Sequence, residues 1–469
     1  MSLRRGTARR SRVAGDDGVI LIQVVMVLTV LAGFVALAAA VGGSARGPSE
    51  HVDASVAGRE GGAPARAPVA RAASRRANLW VDTSGGSCSR RPKRAAYSPA
   101  TACGSLDAAY RAAALGDTVI VTCSTGASCT YPAQTIREHT GKAGTARARH
   151  VLIKPDPSKR VTIYGIASGT GGGGSGNDGA DHITFKNFVM HNDGRHDCTF
   201  ALRPDSYDVT LDHVSVCSFY MNVVHDVTVQ HSTFGPCWAG SGVCTNSRME
   251  GGDTNVKILN NTFHDYLRSN DGQHFECMVA WGDANGLVIA GNKFVRCAVF
   301  DVFLSNQSVF RNVLVQNNWF DLPTDIGTNY VARGQVALGI RNDNCFENIT
   351  VRNNSFTKDT QVGWPIDQGC WPFKNAKEIG DVAGSFDCGS GVTSRYNVGP
   401  RACRGNGNVN TSLGRVYKVD NYLGHGGNLH LRSTRTAAAG RVPRAFCAAF
   451  DIDGRRRTGR ACDAGSDER

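Results

Sequence analysis

No two cysteines of this chain stand in a Cys-x-x-Cys pair, and none lies in a Cys/His cluster with zinc spacing. That pattern argues against a zinc module and a dithiol redox motif. Helix formers are sparse, which disfavours a helical bundle. The chain also lacks a basic helix or an interleaved aromatic–basic stripe, so its formal net charge of +12 is not a nucleic-acid footprint. Residues 1–77 hold 11 Arg and 5 acids and so carry +6; the other +6 is spread thinly over the rest. We read the charge as juxtamembrane and surface bias, with no nucleic-acid partner expected. What the chain does have is glycine, 55 residues of it, and frequent Asn, Gly and Asp turn clusters. Such a composition suits many short strands joined by tight turns.

The 16 cysteines pair off with their sequence neighbours. The expected bridges are Cys88–Cys103, Cys123–Cys129, Cys198–Cys217, Cys237–Cys244, Cys277–Cys297, Cys345–Cys370, Cys388–Cys403 and Cys447–Cys462. Sequence cannot fix connectivity, but the N-terminus supports an oxidising destination. Arg4, Arg5, Arg9, Arg10 and Arg12 precede a charge-free run from Val19 to Val41. That run is long enough to cross a bilayer as one helix, with the N-terminus cytoplasmic and the bulk of the chain outside. It reads as a signal anchor, or as a signal peptide if the Ala36–Ala40 segment is cut. Gly18 before VILIQ faintly resembles a prepilin processing site, but Gln23 stands where Glu is usual. The expected organisation is a basic n-region over 1–17, a signal segment over 18–41, a disordered linker over 42–77 and one folded domain over 78–469. The product is expected to be extracytoplasmic and monomeric, held to the membrane through residues 19–41 if they are not cleaved.

The folded part repeats. VKILNNTF (256–263), LVIAGNKF (287–294), VLVQNNWF (313–320) and ITVRNNSF (349–356) share one pattern, and looser copies begin at Ile183, Val209 and Val227. Successive copies are offset by 26, 18, 29, 31, 26 and 36 residues. Each is a short alternating strand, a polar turn and an apolar anchor, which marks a β-solenoid. Val256, Ile258 and Phe263 should point inward and stack on their equivalents one coil away, about 4.8 Å along the axis. Asn261, Asn292, Asn318 and Asn354 should form a ladder. Sequons open at Asn260, Asn348 and Asn353, but the repeat explains their Ser and Thr. Ser105 is a plausible cap for a short helix in CGSLDAAYRAAALGD, which would cover the open first coil. The N-terminal cap spans 78–123 and a closing unit spans 424–469.

The opening NLWVDTSGG…CGSLDAAYRAAALGDTVIV…TYPAQTI, the NN-x-F coils and the DIDG…R…DAGSDE ending together resemble right-handed parallel β-helix proteins of the pectate-lyase-like superfamily. The likeness runs from Asn78 to Glu468. It implies an all-β, right-handed parallel β-helix (the pectin lyase fold). It does not specify function, because that superfamily holds lyases, hydrolases, epimerases and binding proteins.

Aligning the strands that follow each Phe, as SRMEGG, HFECMVA and VFDVFLS, points Met249, Phe275 and Phe300 inward. Glu250, Glu276 and Asp301 then share one outward column. Carboxylates about 5 Å apart raise one another's pKa or recruit a cation, for which Ca2+ is the candidate. His274, Arg268 and Arg296 lie near in sequence. Three chemistries fit these residues. A polysaccharide lyase would neutralise a uronate carboxylate and use His274 as base. A retaining glycosidase would use Glu276 and Asp301. A non-catalytic surface protein would hold polysaccharide or cell-wall glycan on the same face. Polygalacturonase-like hydrolases carry ordered acidic motifs absent here; only Gly424-His425-Gly426 is found, read as a turn. No pectate-lyase calcium motif is recognisable. Trp238, Trp281, Trp319, Trp364 and Trp371 stand in or beside loops, as sugar platforms or as anchors.

Overall fold

The structure, a computed structural model, describes residues 75–144, 146–170, 178–190, 196–238, 244–267, 275–305, 309–321, 337–341, 345–364, 374–386, 391–420 and 427–469. The Val19–Val41 run and the linker fall outside these residues. No helix among the described residues is long and apolar enough to cross a membrane.

Strands are short because each coil turns three corners. One coil runs from Ser247–Met249 through Lys257–Leu259 to Thr262–Leu267, and the next begins at Met278–Trp281. Each strand pairs in parallel with its counterparts in the coils on either side. Three parallel sheets result. The first includes Lys257–Leu259 and holds 14 described strands; the second includes Ser247–Met249 and holds 9; the third includes Thr262–Leu267 and holds 10. The inward rows are continuous. Val229, Ile258, Ile289, Val315 and Val351 are in register and fully buried. Phe234, Phe263, Phe294, Phe320 and Phe356 stack with centroids 4.5–5.1 Å apart. Burying a phenylalanine contributes about 1.5–3 kcal/mol, so this stack is a principal term in the core.

The two asparagines of the repeat divide the turn between them. The first position takes the left-handed conformation: Asn260, Gly291, Asn317 and Asn353 have φ of 54°, 68°, 55° and 52°. The second is buried and bridges coils. Asn261, Asn292 and Asn318 each donate their backbone N–H and side-chain amide to the next rung's Oδ1, at 2.9–3.1 Å. The ladder continues through Asn354 to Asp381 and Asn397.

A short helix, Leu106–Ala112, follows the first strand, with Ser105 Oγ accepting from the Ala108 N–H. At the other end, two antiparallel pairs join Tyr417–Val419 to Asn428–Leu431 and Val442–Pro443 to Ala461–Cys462. They bury Leu429, Val442 and Ala464 against Val382 and Val398 of the last coils. Six of the expected disulfides are formed: Cys88–Cys103, Cys123–Cys129, Cys198–Cys217, Cys237–Cys244, Cys277–Cys297 and Cys447–Cys462. Cys370 and Cys388, needed for the other two, lie outside the described residues.

Candidate functional site

The outward row of the second sheet is built by alternation. In Ser218–Met221, Phe219 and Met221 are in the core, so Tyr220 projects outward. Its register partners are Ala201 before and Arg248 after. Two residues on from Ala201, Arg248 and Val279 stand Arg203, Glu250 and Trp281, on the same outer side. The Arg203 guanidinium lies 5.4 Å from the Tyr220 ring centroid, and that of Arg248 lies 5.1 Å from it and 6.0 Å from Trp281. Arg248 also pairs with Glu250 at 2.7 Å, and the Tyr220 hydroxyl donates to the other Glu250 oxygen. Burial, then the bond to Glu250, raises the Tyr220 pKa and keeps the phenol protonated. A cleft of about 270 Å³ opens beside them, lined also by Asp197, Thr199 and Thr245. Flat apolar surfaces, two guanidinium forks and a carboxylate–phenol pair thus share one half-exposed patch. Such a patch can stack on a ring, clamp an anion and move a proton.

The proposed carboxylate column does not form. Met249 pairs with Ala280, so the residue across from Glu250 is Trp281 and not Glu276. Met278 pairs with Val302, so Asp301 lies across from Cys277 and not Glu276. Glu276 is fully buried and accepts from the Asn246 amide at 2.7 Å. Asp301 is fully buried as well, and neither of its oxygens has a hydrogen-bond partner among the described residues. Burial, then the charge of Asp321, pushes its carboxyl well above the usual range. Arg296 belongs to a third-sheet strand, Lys293–Cys297, where it pairs with Asp265. Burial acts to raise Asp265, but hydrogen bonds from His264 and Arg296 outweigh it and hold its pKa low. His274, Arg268 and the Gly424–Gly426 turn lie outside the described residues.

The physical reason is strand onset. The expected second-sheet strands over 274–282 and 298–305 start four residues later, at Met278 and Val302. Phe275, Glu276, Ala298 and Phe300 line the buried corner before them, where Cys277 is tied to Cys297. Of the proposed residues, only Glu250 lies beside the cleft, bonded to Arg248 and Tyr220 of its lining. Sequence reasoning missed Arg203 and Tyr220; the alternation of Ser-Phe-Tyr-Met was the signal for Tyr220. Trp281 flanks the cleft, whereas Trp319 is buried edge-on to His430 at 5.1 Å.

Three parallel sheets, stacked coil on coil, decide the architecture. The fold is a three-sheet parallel β-helix. Neither a protein-family model nor a curated protein matches the sequence. Solved structures similar to this β-helix include pectate lyase Pel9A, at 14% identity and TM-score 0.41, covering 83% of this chain and 96% of that one. The surface adhesin PfbA of Streptococcus pneumoniae is similar at 13% identity and TM-score 0.40, over 61% of this chain and 72% of its own. The PL6 family alginate lyase AlyGC is similar at 12% identity and TM-score 0.30, over 71% and 54%.

Proposed function

We propose that this β-helix binds an acidic polysaccharide along its second sheet and cleaves it as a lyase, outside the cytoplasm. The observation that carries the reading is Arg203 and Arg248 set around the Tyr220 ring beside Glu250. In the reaction, Arg248 and Arg203 neutralise a uronate carboxylate, which acidifies the proton on C5. A base removes that proton, the C4–O bond breaks, a C4–C5 double bond forms and the leaving oxygen takes up a proton. Glu250, bonded to Arg248 and Tyr220, is the base in this reading; His274, outside the described residues, is its rival for that role. Tyr220, kept protonated, supplies the proton to the leaving oxygen. Six disulfides favour an oxidising compartment.

The test is incubation of the purified full chain with polyuronates and neutral glycans. The lyase reading expects ultraviolet absorbance from an unsaturated uronate. Reducing ends without that absorbance would point to a glycosidase, and retention without cleavage to a glycan-binding surface protein. No interaction with any polyuronate would overturn the proposal.

A further inference from the structure

A second cluster lies at a different corner, where the first sheet turns into the third. The turn residue there is Asn or Gly in six coils, at Asn187, Asn260, Gly291, Asn317, Asn353 and Gly380, all with positive φ. Two consecutive coils instead carry histidine, His213 (φ 56°) and His231 (φ 51°). The parallel register sets their rings 5.0 Å apart, tilted by 36°. Asp212, nearly buried at the end of the strand Val209–Asp212, points between them. His213 Nδ1 lies 2.7 Å and His231 Nδ1 3.1 Å from the same oxygen, Asp212 Oδ1. Gln230 Nε2 approaches that oxygen too, at 3.3 Å. Lys186 Nζ occupies the other, Oδ2, at 2.6 Å. Three nitrogens therefore converge on one oxygen that has two lone pairs.

We infer that Asp212, His213 and His231 form a binding site for one divalent transition-metal ion. One ligand atom from each residue falls within a 4.8 Å cluster. Zinc takes imidazole nitrogen and carboxylate oxygen at about 2.0–2.2 Å, so tetrahedral ligand atoms sit about 3.3 Å apart. The two observed nitrogen–oxygen separations need to widen by about 0.6 and 0.2 Å. Bound metal also relieves the crowding on Oδ1, because each Nδ1 then gives its lone pair to the ion and no longer points an N–H at that oxygen. Two imidazoles with one carboxylate favour Zn2+, Co2+ or Ni2+ over the all-oxygen cations Ca2+ and Mg2+. Lys186 and Gln230 hold the carboxylate in position, as outer partners of a metal ligand do. Lys186 also places a positive charge beside the ion. Both histidines are about half exposed, so the ion has an open path and free coordination positions for water or a ligand.

Calorimetric titration of the chelator-stripped full chain with Zn2+, and separately with Ca2+, tests the site. One Zn2+ should bind in the micromolar range, with no Ca2+ bound at this site. His213→Asn and His231→Asn use the residue the same turn carries elsewhere, so the metal-free melting temperature should stay near wild type. Each should weaken Zn2+ binding by about tenfold or more, and the double variant should lose it. Absence of Zn2+, Co2+ and Ni2+ binding by the wild type, or undiminished binding by a folded double variant, would overturn the assignment. The outcome is independent of the polysaccharide reading, since no glycan enters the measurement.

Discussion

Asn292 Oδ1 accepts both hydrogens that Asn261 can offer it: the backbone N–H at 2.9 Å and the side-chain amide at 3.0 Å. Asn292 in turn donates its own amide to Ile258 O at 2.8 Å. One side chain thus satisfies buried donors and an acceptor that no water reaches. Asn292→Ala strands the Asn261 N–H and Ile258 O, each at about 1–3 kcal/mol. The expected loss is about 2–4 kcal/mol, read by denaturant unfolding. An unchanged midpoint would remove the ladder from the account of stability.

Asp381 takes the place of an asparagine on the same ladder and predicts a pH effect. Its Oδ1 accepts from the Asn354 N–H and amide at 2.7 and 2.9 Å, while Oδ2 has no partner among the described residues. Burial pushes this carboxyl up to about 7. An unfolded aspartate titrates near about 3.9. Between those values the folded state holds a proton that the unfolded state has lost. Stability from this group therefore falls as pH rises from about 4 to 7, and the whole penalty is present above 7. Asp381→Asn should raise stability at pH 8 by an amount on the order of 2–4 kcal/mol, read as a higher melting temperature, and change it little near pH 4. A loss of stability at pH 8 would contradict the protonated rung.

The cleft predicts a division between binding and turnover. Arg248→Met should weaken retention of a polyuronate, because it removes a guanidinium packed on Tyr220. Tyr220→Phe keeps the ring platform and loses only the hydroxyl that donates to Glu250. Retention should survive while cleavage falls by about a hundredfold or more. Glu250→Gln and His274→Ala decide which residue is the base. Full cleavage by both variants would remove both residues from the mechanism.

The Cys198–Cys217 bridge closes a separation of 19 residues. Replacing both cysteines with alanine should lower stability by about 3 kcal/mol, chiefly by freeing the unfolded chain. Thiol titration of the denatured wild type checks the premise: reactive thiols at Cys198 or Cys217 would show the bridge absent.

How much of this was legible depended on the range of the interaction. The inward phenylalanines, the asparagine ladder and six disulfides were readable because each follows from a local pattern that every copy restates. The carboxylate column was not. Its members share a column only if loops of different length end at the same height. The pairing offsets are 31 residues from Ser247 to Met278 and 24 from Met278 to Val302. Similar-looking segments such as SRMEGG and HFECMVA thus align in sequence and not in space.

By itself, then, the sequence determined the coil: which residues face inward, which asparagine turns the chain and which cysteines close it. Alternation and turn chemistry act within a few residues, so they can be read along the chain. Only the tertiary structure decided that Glu250 meets Tyr220 and Arg248, that Glu276 and Asp301 are buried, and that two histidines converge on Asp212. Those outcomes depend on inter-coil register, which is set by hydrogen bonding between strands dozens of residues apart.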